Sequence, residues 1–104
     1  MQVIRGDFEN QLHVTADLSV HGRLRAGARV APGARLTLRG MSDGDILVER
    51  GASAELWGVV QRSILNRGGM VSIFGLVAGD VTTSENGKTW LSPDSVVRGR
   101  RRTL

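Results

Sequence analysis

Apolar and polar residues alternate along this chain in short bursts of period two, and each burst ends near a glycine. The segments at 2–6, 18–22, 36–40, 54–58 and 71–75 close on Gly6, Gly22, Gly40, Gly58 and Gly75, spaced 16, 18, 18 and 17 residues apart. A sixth, 89–93, ends on Pro93, 18 residues further on. The third place of every segment is apolar: Ile4, Val20, Leu38, Leu56, Ile73 and Leu91. Six places after the anchor come Leu12, Ala28, Ile46, Ile64 and Val81; eight after it come Val14, Val30, Val48, Asn66 and Thr83. Period-two bursts separated by glycine are strand patterning, repeated about three times per unit, and no segment carries a helical stripe.

Three strands of about four residues and three tight corners fill a unit of ~18 residues. Stacked units pair each strand in parallel with its equivalent at ~4.8 Å and turn the apolar places into inward columns. The pattern therefore predicts an all-β fold, a right-handed parallel β-helix of triangular section with about five to six coils, over residues 1–97. A left-handed hexapeptide helix of the acyltransferase type is the alternative hand, but the six-residue aliphatic step does not persist around the coil. A β-sandwich would need alternating hairpins instead of evenly stepped repeats. Glycine at Gly40 and Gly58 is expected to adopt positive φ at the corners.

Composition narrows the chemistry. The 104 residues suffice for one domain. No apolar run reaches the ~18 residues of a membrane span, and no signal-peptide pattern opens the chain. Cysteine is absent, which removes disulfides and thiolate sites and fits a reducing, cytoplasmic setting. Fourteen Lys and Arg against ten Asp and Glu give +4. Nucleic acid must be weighed at that charge, but Arg23, Arg25, Arg29, Arg35 and Arg39 take different outward places and circle the coil instead of lining a groove. Trp57 and Phe74 share the column just before the anchor, with Arg5, His21 and Arg39, and are the candidate aromatic contact.

Catalytic signals are thin. Gly87-Lys88-Thr89 lacks the first glycine of a phosphate loop. His13 and His21 have no metal-ligand spacing and no nucleophile partner, so neither catalytic residue, metal nor cofactor is expected; His21 at a cleft between subunits would be the acyltransferase exception. Asp45 and Asp80 are expected to bond local turn amides. Asn66 replaces an apolar residue in its column and needs its amide satisfied.

The units Val71–Val81 and Leu36–Gly40 resemble those of bactofilins, bacterial polymer-forming cytoskeletal proteins. The resemblance covers roughly residues 2–97 and implies a right-handed triangular β-helix that polymerises end to end without nucleotide. The ends of the chain differ in character. Val3, Ile4 and Phe8 make the N-terminal coil sticky and mark it for self-association. Residues 98–104 read as a basic tail in which Arg98, Arg100, Arg101 and Arg102 stop the coil, either as a guard against stacking or as an arm for an acidic partner or membrane surface. That asymmetry favours a dimer through the N-terminal ends, or one partner on that end, over an unlimited head-to-tail filament. The expected function is a non-catalytic scaffold acting through its end coils; a cytoplasmic immunity or antitoxin protein, neutralising a toxin through a rigid sheet face, is the other.

Overall fold

The computed structural model describes residues 2–103, and they form sixteen parallel strands with no helix. The two outermost residues of the spans 1–97 and 98–104, Met1 and Leu104, lie outside the described part. The chain winds through six stacked coils, each contributing one strand to each of three faces.

Face one holds the first halves of β1 (Gln2–Phe8) and β3 (Leu18–Leu24), then β5 (Arg35–Leu38), β8 (Ser53–Leu56), β11 (Met70–Ile73) and β14 (Lys88–Leu91). Face two holds the second halves of β1 and β3, then β6 (Met41–Ser42), β9 (Val59–Val60), β12 (Leu76–Val77) and β15 (Val96–Val97). Because β1 and β3 run unbroken around the corner, faces one and two form a single ten-stranded sheet. Face three is a separate six-stranded sheet of β2 (Leu12–Val14), β4 (Ala28–Val30), β7 (Ile46–Val48), β10 (Ile64–Asn66), β13 (Val81–Thr83) and β16 (Arg101–Thr103).

Register follows the sequence repeat. Gln2 pairs with Leu18, Leu18 with Leu36, Leu36 with Ala54, and Ala54 with Val71. The columns Val20–Leu38–Leu56–Ile73 and Ala28–Ile46–Ile64–Val81 are buried throughout, and they form one continuous core. A parallel ladder satisfies the backbone between coils, so the interior needs only apolar side chains, which the alternation supplies.

The corner glycines have two different causes. Gly40 and Gly58 do not have positive φ, contrary to the expectation from their corner position. They are needed because a Cβ at either would collide with the carbonyl oxygen of the glycine one coil before it. In that column positive φ occurs at Gly6, in the first coil; at the other corners it occurs at Gly27, Gly33, Gly51 and Gly68.

Asn66 sits in the apolar column yet is only 2% exposed. Its Oδ1 accepts the amides of Gly68 and Gly69 at 3.1 and 2.8 Å, and its Nδ2 donates to the Lys88 carbonyl at 3.0 Å and Thr89 Oγ1 at 3.2 Å. Thr89 in turn shares a 2.7 Å hydrogen bond with Thr83. Asn66→Ala strips the buried Gly69 amide of its acceptor and should cost about 1–3 kcal/mol in urea unfolding, even though alanine suits the apolar column.

The corner carboxylates reach across coils. Asp45 accepts the Ser63 amide at 2.9 Å and Asp80 the Arg100 amide at 2.8 Å, both one coil further on, so the expected local turn bonds are replaced by inter-coil ones.

Candidate functional site

The two end coils hold most of the residues that the sequence marks for contact; Trp57 and Phe74 lie in the coils between. At the first coil, Ile4 and Phe8 point inward and are partly buried on the core, as is Leu12 on face three. Among the described residues nothing pairs with the outer edges of β1 and β2. Val3 does not belong with this group. It is paired with outward Ser19 and is 51% exposed on the side of the coil, because period two puts neighbouring residues on opposite faces. Leu12 completes the apolar end; its inward column identifies it, and only its position in the first coil leaves it uncovered.

The last coil differs from the tail the sequence suggests. Arg101–Thr103 form β16, paired in parallel with Val81–Thr83, so the coil continues where four arginines were expected to stop it. The cause is a two-residue expansion at the preceding corner. Leu76 pairs with Val96 and Val81 with Arg101, an offset of 20 residues in place of 18. The turn is held by the Ser95 hydroxyl donating to the Ser92 carbonyl at 2.6 Å and the Asp94 amide donating to Ser92 Oγ at 3.2 Å. Ser95, rather than Pro93, takes the anchor place, and Val97 falls into the inward column opposite Val77.

This arrangement puts Arg101 in an inward column at the end of the solenoid. With Leu91, Ser92, Ser95 and Val97 it lines an open hollow of about 350 Å³. Arg98, Arg100 and Arg102 stand exposed around it. The end is polar, basic and strand-edged.

The aromatic residues form a ladder along one corner. Trp57 and Phe74 stack with centroids 3.9 Å apart and planes 6° from parallel, and Phe74 meets Trp90 edge-on at 5.4 Å. The Arg39 guanidinium lies 5.3 Å from the Trp57 ring, one coil before it. Trp90 is the member that sequence reasoning missed. It belongs to a different column, paired with Ser72, and joins the ladder only through the width of its ring. The Trp57 ring lies between Phe74 and Arg39, an arrangement that stabilises the coil stack and leaves little ring face for a base. Trp57→Ala should lower stability by about 1–2 kcal/mol, read by urea unfolding.

Most of the early arginines are spoken for. Arg23 meets Asp43 at 2.7 Å, Arg25 meets Asp7 at 3.1 Å, and Arg29 meets Glu49 at 3.1 Å, each pair joining adjacent coils. The hydrogen bond and charge of Asp43 raise the Arg23 guanidinium above its ordinary value. All three arginines are solvent-exposed, so each pair is worth little more than its contribution to local charge balance.

His13 and His21 are exposed, and His21 pairs in register with Arg5. Among the described residues no group of three or more His, Asp or Glu could hold a metal ion. Among the described residues no helix is long and apolar enough to cross a membrane. No family model, curated protein or solved structure matches the chain.

Proposed function

We propose that the chain is a non-catalytic scaffold that associates with itself through its end coils, in the manner that the resemblance to bactofilins implies. The observation that carries this reading is the first coil, where Ile4, Phe8 and Leu12 lie partly exposed on the core beside unpaired strand edges. Such an edge is a template for another strand, and apolar residues beneath it reward its covering. The absence of cysteine suits a reducing, cytoplasmic setting for such an assembly.

Phe8→Glu sets a charge into that apolar end and should weaken self-association at least tenfold, measured by sedimentation over a concentration series. Phe8 is only partly buried, so the variant should keep its β spectrum. Association unchanged by Phe8→Glu would remove the first coil from the contact.

A second reading draws on face one, where Met70 and Trp90 are 60% and 54% exposed and Trp57, at its corner, 44%. Apolar groups of that size on one side favour a protein partner bound laterally, as an immunity or antitoxin protein would bind its toxin. Under that reading Trp90→Glu, and not Phe8→Glu, abolishes the complex.

A further inference from the structure

The two end coils carry opposite charge. Residues 2–17 contain Asp7, Glu9 and Asp17 against the single Arg5, whereas residues 88–103 contain Lys88, Arg98, Arg100, Arg101 and Arg102 against the single Asp94. Joining two first coils would bring the Glu9 carboxylates of both copies together, beside Asp7, whose charge Arg25 partly offsets. Joining two last coils would crowd eight arginines. Like charges at a contact cost affinity and deter the wrong pairing.

The columns of the solenoid also say what a head-to-tail contact would join. Extending each column by one coil sets Ile4 of a second copy over Leu91, and Phe8 over Val97, both apolar on apolar. Val3 comes over Trp90 on the outer side, where each is about half exposed. Glu9 belongs to the corner column that runs through Arg25, Asp43, Gln61 and Ala78 to Arg98, so it comes over Arg98. Face three is less well matched: Leu12 meets Arg101, Val14 meets Thr103 and, on the outer side, His13 meets Arg102. The arginine stem can cover the leucine while its guanidinium turns to the rim.

β16 is what makes this possible. A flexible basic tail would obstruct the last coil, but an in-register strand offers a third parallel edge, to which β2 of the next copy is matched. We infer that the chain associates with a second copy of itself head to tail, first coil on last coil, with Glu9 of one copy facing Arg98 of the other. This rests on the self-association reading and reverses the N-end to N-end dimer expected from the sequence. Because the contact is heterologous, each added copy leaves both end types free, and growth is open-ended.

The test uses two charge reversals at exposed positions, Glu9→Arg and Arg98→Glu, which leave the core untouched. Sedimentation of the 104-residue chain at low salt reads the apparent Kd. Head-to-tail association requires each single variant to weaken association about tenfold and the double variant to return to near the wild-type value. Rising salt should weaken the wild type. If Glu9→Arg strengthens association while Arg98→Glu leaves it unchanged, the first coils meet each other and the orientation is overturned. A wild type that stays monomeric at every concentration overturns the self-association reading, and this inference with it.

Discussion

Gly58→Ala should destabilise the protein by about 3–5 kcal/mol, far beyond an ordinary glycine-to-alanine change. A methyl group there would collide with the Gly40 carbonyl oxygen, which belongs to the backbone of the preceding coil. Gly75 meets Gly58 in the same way, so relief by moving one coil tightens the contact on its other side. No flexible side chain can give way. Gly51→Ala provides the internal comparison. Its φ is +80°, but the nearest atom to an added Cβ is 4.0 Å away, so only the left-handed backbone opposes it, at about 1–2 kcal/mol. Urea unfolding of both, beside Glu55→Ala on the outer side of β8, separates the causes. Equal losses at Gly58 and Gly51 would mean that the close approach at Gly58 is relieved at no greater cost than the left-handed backbone at Gly51.

Leu56→Ala and Ile73→Ala should each cost about 2–5 kcal/mol. Leu56 is 1% exposed and Ile73 0%, and they are register partners in neighbouring coils at the centre of the stack. Strand pairing holds their backbones apart on both sides, so the void cannot collapse and the loss includes a cavity. The double variant should depart from additivity, since the two cavities merge into one. The same truncation at Ile4, which is covered from one side only, should cost clearly less. Comparable losses at all three positions would mean that the first coil is as well enclosed as the middle ones.

The inward columns were legible because burial imposes the same constraint on every coil. Six apolar residues recurring from Ile4 to Leu91 have no other economical explanation. Faces and corners followed from unit length. The last coil departs from the sequence step because the Ser92–Ser95 turn holds two extra residues, while Pro93 falls by coincidence on the 18-residue step. Turn length is set by local hydrogen bonds, which a column count does not contain. Val3 shares the hydrophobicity of Ile4 but not its side of the strand, since the alternation that turns Ile4 inward turns Val3 outward. Arg101 takes a column that is apolar in the coils before it, which reads as a stop, but it lies in an end coil where its side chain stays exposed. Trp90 joins Phe74 across columns, a contact made by ring size that position along a repeat does not reveal.

Amide hydrogen exchange at low and high protein concentration tests most directly whether contact is made through the ends. The middle coils have both strand edges paired and should be protected at either concentration. Association through the end coils predicts that protection rises with concentration in β1 and β2 and in β14, β15 and β16, with no change in the corner amides around Trp57 and Phe74. Protection that rises at that corner while the end strands stay open would contradict the account and place the contact on the side of the solenoid.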